Sequence, residues 1–212
     1  MHKIIDIPSP INLQDSLHAI QWANEASVKR PYRQEFFAYY VSQILADFKQ
    51  DIRILELGSG PGFFAYELLN AIPHIHYTAV DFSSAMHTLA QQRIATIPHS
   101  QTNFIIADFK QPHWYQIPQT QRFDYVVIHQ ALHELRHKAH TDNFHQIIAQ
   151  HVLHPDGDYF ITDHLATPDG QMNNHELYMN KTEHILSLKQ AQFKNIQIHL
   201  EIDGLCAFQT RL

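Results

Sequence analysis

Apolar positions recur with two different periods along this chain. Over the first fifty residues the spacing is helical. Leu13, Leu17, Ile20 and Ala23 mark an amphipathic stretch from Asn12 to Ala26, and Phe36, Phe37, Tyr40, Val41, Ile44, Leu45 and Phe48 form a broad stripe from Arg33 to Phe48, with Pro31 between them. From residue 51 onward, short apolar runs alternate with longer helical stretches. Strands are predicted over 52–57, 75–80, 103–107, 123–129 and 159–163, and helices over 63–72, 83–97, 138–152 and 182–193, with Ser83 a good N-cap. The continuous run from Phe123 to His129 reads as a strand buried on both faces. Two final strands, 195–201 and 205–211, flank Asp203-Gly204, a hairpin signal. Strand–helix alternation that ends in a hairpin implies an α/β fold: a mostly parallel sheet with an antiparallel edge pair. The expected organisation is a helical N-terminal cap, 1–50, followed by a sheet domain, 51–212.

Composition narrows the function. The 212 residues suit one domain plus a small cap. A net charge of −6 argues against a face built to grip a phosphate backbone, so no nucleic acid partner is expected. No apolar run approaches the ~18 residues of a membrane span. A single cysteine, Cys206, allows no internal disulfide and fits a reducing, cytoplasmic setting. The 18 histidines outnumber the 15 lysines and arginines. Scattered histidine alone assigns no metal, and none is expected.

Candidate chemistry gathers at the carboxyl ends of the first strands. Strand one runs into Gly58-Ser59-Gly60-Pro61-Gly62, where glycine lets the backbone turn sharply and approach a ligand. Strand two ends at Asp81-Phe82, where an acid can accept from ribose hydroxyls. Strand three ends at Asp108-Phe109, an acid and a ring suited to a base. A dinucleotide-binding turn would place its third glycine at residue 63, which is Phe63.

In these motifs the chain resembles the class I S-adenosylmethionine-dependent methyltransferases. Residues 54–62, Ile-Leu-Glu-Leu-Gly-Ser-Gly-Pro-Gly, look like their first motif. Ala79-Val-Asp81-Phe82-Ser83 and Ala107-Asp108-Phe109 look like the second and third. Phe123 to His129 resembles their fourth strand, and Leu153-His-Pro-Asp-Gly157 the turn before their fifth, with Asp156 replacing a glycine. The resemblance implies a Rossmann-like three-layer sandwich with a seven-stranded sheet of order 3-2-1-4-5-7-6, strand seven antiparallel. It also implies S-adenosylmethionine as cofactor, with Glu56, Gly58, Ser59, Gly60, Gly62, Asp81, Phe82, Asp108, Phe109 and His129 around it.

The acceptor is less legible. Candidate bases are His129, His133 and His164, where strands four and five are expected to end, with Asp163 beside the last. Trp22, Tyr32, Phe36 and Tyr178 are candidate apolar walls, and Arg30 and Arg33 could meet a carboxylate of the substrate or of the cofactor's methionine tail. The family's signatures for amide, RNA or arginine methylation are missing. A small-molecule acceptor, methylated at oxygen or nitrogen by a monomer or homodimer, is therefore expected. An RNA or protein methyltransferase and a non-catalytic cofactor-binding protein are the alternatives. His133-Glu134-Leu135-Arg136-His137 matches H-E-x-x-H, which on a helix would suggest a zinc hydrolase. Its place directly after strand four favours an ordinary loop-to-helix segment.

Overall fold

The computed structural model describes residues 4–47, 51–98, 101–116, 122–169 and 171–212. Seven strands form one sheet of order β3-β2-β1-β4-β5-β7-β6. The chain divides into two compact units, Ile11–Thr120 and Met1–Pro10 with Gln121–Leu212.

The first unit holds helices α1 (Ser16–Lys29) and α2 (Arg33–Ala46), then β1 (Arg53–Leu57), α3 (Phe63–Ala71), β2 (His76–Asp81), α4 (Ser84–Ile94) and β3 (Gln101–Ile106). β1, β2 and β3 are parallel, with Glu56 opposite Ala79 and Asp81 opposite Ile106. The apolar strand runs bury both faces, so β1 and β2 are almost wholly inaccessible. α2 packs on α3 through rings: Phe37 and Tyr40 lie 5.8 and 5.6 Å from Phe64. Ser83 caps α4 by accepting the Met86 N–H at 3.1 Å, while its own hydroxyl donates to the Leu13 carbonyl.

α1 differs from its sequence reading in start and in face. Asp15 accepts the Leu17 and His18 N–H groups at 2.9 and 3.0 Å, so the helix begins at Ser16 rather than Asn12. The buried side is Ala19, Ala23 and Ala26, while Leu17 is 76% and Val28 80% exposed. Small side chains let this helix approach its neighbours closely, and that closeness outweighs burying the larger apolar residues. In α2 the buried set is Phe36, Phe37, Tyr40 and Ile44; Leu45 is exposed and Phe48 lies outside the described residues.

The second unit holds β4 (Phe123–His129), α5 (Thr141–Ile147), β5 (Leu153–His164), α6 (Lys181–Gln190), β6 (Lys194–Ile202) and β7 (Leu205–Arg211). β4 and β5 are parallel, with His129 opposite Thr162; β7 is antiparallel to both β5 and β6, with Asp163 opposite Cys206. The helix expected over 138–152 is broken into a 3-10 turn at Lys138–His140, α5, and a π-turn at Ile148–Val152. Buried Asp158 fixes the β5–β7 pair through Arg211 at 2.6 Å. Among the described residues no helix is long and apolar enough to cross a membrane.

Candidate active site

The glycine loop follows β1, and Gly58, Gly60 and Gly62 all take left-handed backbone angles, with φ of 65, 54 and 75°. Two of them answer different needs. A Cβ on Gly62 would lie 2.9 Å from the Ala90 backbone, so glycine there lets the loop close on α4. A Cβ on Gly60 would meet nothing within 4 Å, so the backbone there borders open space that a ligand could approach. Asp81 sets the loop's shape. Its Oδ2 accepts the Gly60 N–H at 2.8 Å and its Oδ1 the Ser83 N–H at 2.9 Å.

Glu56 and Arg33 lie under this loop. Tyr77 donates its hydroxyl to Glu56. Burial pushes the Glu56 carboxyl up to about 8, against that hydrogen bond and the pull of Arg33, and Asp81 pushes it in the same direction as burial. Arg33 is only 8% exposed. Its guanidinium carbon sits 5.0 Å from the Phe63 ring, 5.6 Å from Trp22 and 5.8 Å from Phe37. Burial, with the charge of Arg30, pulls the group down to about 10, so it stays a cation at neutral pH. Its Nε is buried with no hydrogen-bond partner among the described residues. Ser59 Oγ lies 3.3 Å from His87 Nε2, and burial holds that imidazole down at about 4, hence neutral. Farther along, Asp108 Oδ1 accepts the Lys110 N–H at 2.9 Å, and buried Phe109 meets Trp114 edge to face at 6.5 Å. Phe82 is half-buried beside Asp81, and Tyr32 precedes α2 without capping it through its side chain.

The second unit carries the histidines. His133 Nδ1 lies 2.6 Å from Asp163 Oδ1, and the His133 backbone N–H donates to Asp163 Oδ2 at 2.7 Å. The His164 N–H completes the set, donating to Asp163 Oδ1 at 2.8 Å. Burial works against the charge on both partners, yet each overcomes it for the other. The His133 imidazolium brings Asp163 down to about 2, and Asp163 raises His133 above its ordinary value. On the far side of the ring, His133 Nε2 is 3.5 Å from Glu134, which pairs with Arg136 at 3.3 Å. Arg136 also holds the N-terminal segment, donating to the Ile7 and Pro8 carbonyls at 2.8 and 2.9 Å. Tyr178 lies 5.6 Å from the His133 ring and 6.1 Å from His164.

The structure thus joins His133, His164 and Tyr178 around Asp163, places buried His129 opposite Thr162, and sets Trp22 and Arg33 together beside the glycine loop. H-E-L-R-H does not form one α-helix. Leu132–Leu135 is a 3-10 turn, and Arg136 then turns left-handed with φ 67°. His133 and His137 therefore do not stack one turn apart, and His137 instead accepts the Ala139 N–H at 3.0 Å. Two residues escaped sequence reasoning. Arg136 gave no signal beyond its place in the motif. His184 could have been found from helical spacing, since it shares the buried face of α6 with Ser187 and Leu188.

Comparison with known proteins places these features in context. Residues 48–202 match the family model of a methyltransferase domain. A malonyl-[acyl-carrier protein] O-methyltransferase from Paenibacillus sp. (strain JDR-2) is 34% identical over 89 residues, 42% of this chain and 32% of that protein. The matched stretch thus spans about a third of that relative's length. A solved S-adenosylmethionine-dependent methyltransferase from Clostridium acetobutylicum ATCC 824 superposes with a TM-score of 0.68 at 12% identity, over 91% of this chain and 98% of that one. Magnesium protoporphyrin IX methyltransferase from Synechocystis PCC 6803, solved with its cofactor bound, gives 0.65 at 15% identity, over 86% and 81%. At these identities the two structures speak to the fold.

Proposed function

Because the chain belongs to the class I S-adenosylmethionine-dependent methyltransferases, we propose that it transfers a methyl group to an oxygen or nitrogen nucleophile of a small-molecule acceptor. The observation that carries this reading is the open backbone at Gly60, bracketed by Asp81 and by the buried pair of Glu56 and Arg33. The residues fit the cofactor. Arg33 brings a desolvated cation to the carboxylate of its methionine end, and Glu56 a carboxyl to the ammonium. Asp81, a carboxylate at the end of β2, suits ribose hydroxyls, with Gly58, Ser59 and Phe82 around it, and Asp108 and Phe109 suit the adenine. When bound, S-adenosylmethionine supplies a methyl group already activated as a sulfonium, so alignment is the protein's main task.

His133 is the group that takes a proton from a protonated acceptor, and Asp163 is its positioning residue. The hydrogen bond at Nδ1 fixes the ring's orientation and leaves Nε2 to receive the proton. Because Asp163 raises His133, the neutral base form grows as pH rises, and turnover should climb at a pH above the ordinary imidazole value of 6.5. The named activity of the Paenibacillus relative supports an oxygen nucleophile.

The test is to incubate the protein with methyl-labelled S-adenosylmethionine and a panel of small carboxylic acids, phenols and amines, and to follow S-adenosylhomocysteine. Formation of that product with one acceptor class, lost in His133→Ala while cofactor affinity is kept, supports the reading. Absence of S-adenosylhomocysteine binding to the wild type by calorimetry would sink it.

A further inference from the structure

Behind the His133–Asp163 pair lies a cavity of about 10 Å³, lined from the loop after β4, the end of β5, residues 177–179 and α6. That is room for roughly one water-sized atom. His184 on α6 forms part of its wall. This imidazole is 1% exposed and stacks on Phe208 at 4.9 Å, yet neither ring nitrogen has a hydrogen-bond partner among the described residues. A buried ring with two polar atoms left unmatched is costly unless something meets it there. The remaining polar lining is rich in donors: the Lys138 ammonium and the hydroxyls of Thr141 and Tyr178. His137 belongs with them, because its Nδ1 accepts the Ala139 N–H and its proton therefore lies on Nε2. Asp163 is the one carboxylate in that lining, and three N–H groups, two from His133 and one from His164, already occupy it. Leu132, Leu177 and Met179 supply an apolar wall.

We propose that this cavity is a carboxylate-binding subsite for the acceptor, with His184 as its specificity-determining residue. The inference rests on the methyl-transfer reading and narrows its acceptor to acids. One carboxylate oxygen takes the water-sized space, and Leu132, Leu177 and Met179 offer apolar contact to the carbon it is bonded to. A donor-rich lining whose own carboxylate already holds three N–H groups favours a guest made of acceptors over one that must also donate.

The guest's charge also changes His184. The titratable groups around it are Asp163 and His164 from β5, His133, His137 and Lys138 from the loop after β4, His145 from α5, and Glu183 from its own helix. Lys138 is balanced by Glu183 at 2.5 Å, and Asp163 by His133. Burial therefore prevails and holds His184 down at about 4. An anion against the ring opposes that burial, so His184 titrates higher when the guest is bound.

Sodium acetate is the probe, and acetamide, of the same size but neutral, is the control. Histidine-selective ¹⁵N NMR on the full chain follows the ring, with His184 identified by its loss in His184→Phe. Acetate should move the His184 resonances saturably and raise its titration by about one pH unit or more, with acetamide roughly tenfold weaker. His184→Gln, which keeps a donor and an acceptor, should still bind acetate in calorimetry. Equal responses to acetate and acetamide, or no saturable response in the wild type, overturn the proposal. So does undiminished acetate binding, read by calorimetry, in a folded His184→Phe. S-adenosylhomocysteine affinity is measured on the same samples. Its loss from the wild type would break the methyltransferase reading, whereas failure of acetate alone would break only the subsite.

Discussion

Binding of the cofactor's amino-acid end should move protons, and the direction should reverse with pH. Glu56 is buried, accepts the Tyr77 hydroxyl, and is pushed up to about 8. At pH 7 such a carboxyl is ~0.9 protonated, by the ordinary titration relation. An ammonium docked beside it returns the group to its anionic form and expels that proton. The ligand contributes in the opposite sense. The α-amino group of S-adenosylhomocysteine sits beside its own carboxylate and titrates above a peptide N-terminus, near ~9, so binding it as an ammonium takes up almost no proton at pH 7 but ~0.5 at pH 9, where Glu56 has little left to give. The net expectation is release of ~0.9 proton per S-adenosylhomocysteine at pH 7 and uptake of ~0.4 at pH 9, crossing zero near pH ~8.5. Isothermal titration calorimetry in phosphate and in Tris buffers reads this directly, because the apparent enthalpies differ by the protons exchanged times the difference in buffer ionisation enthalpy. Glu56→Gln should abolish the release at pH 7 and leave uptake at pH 9. Identical enthalpies in the two buffers at pH 7, or unchanged release in Glu56→Gln, would refute the assignment of Glu56 to the ammonium.

The other predictions concern the two glycines, the Asp163 pair and the N-terminal segment. Gly60→Ala should lower cofactor affinity about tenfold or more at a stability cost of roughly 1–2 kcal/mol for its left-handed angle, whereas Gly62→Ala, clashing with Ala90, should lose stability first; calorimetry and urea denaturation separate them. Asp163→Asn should destabilise the fold by about 3 kcal/mol, since it leaves His133 without its buried partner, and should shift the pH–rate profile towards acid by lowering His133. In the wild type the Asp163 contribution is present above its unfolded value of 3.8 and is lost as pH falls through about 2. The raised His133 contributes fully below 6.5 and loses that contribution as pH rises through its folded value, so acid and alkaline denaturation should both steepen beyond this window. Arg136→Ala should speed amide exchange at Ile7, whose N–H donates to the Arg136 carbonyl at 2.9 Å, because two further bonds to the Ile7 and Pro8 carbonyls disappear; unchanged exchange would show that the segment is held otherwise.

Much of this protein was legible one element at a time. Continuous apolar runs, glycines needing left-handed angles and an N-cap serine are local requirements, and local requirements leave a local trace. The strands, the glycine loop and the acids that end β2 and β3 could therefore be placed from residue order. The final hairpin was marked in the same way, by Asp203-Gly204. Where several faces compete for burial, the sequence was ambiguous. α1 offered leucine and isoleucine as its buried stripe, but close packing selected the alanines. The histidine motif had helical spacing, yet a left-handed Arg136 ended the turn and gave His133 to Asp163, thirty residues away. Arg33 became a caged cation because Trp22, Phe37 and Phe63 converge on it from three elements. His184 became a buried, unmatched polar group because α6 turns it inward against Phe208. Pairing and desolvation of this kind depend on distances between remote residues, which no period along the chain encodes. The sequence by itself determined the fold and the glycine loop. Only the tertiary structure decided which charges lie buried and which partners they hold.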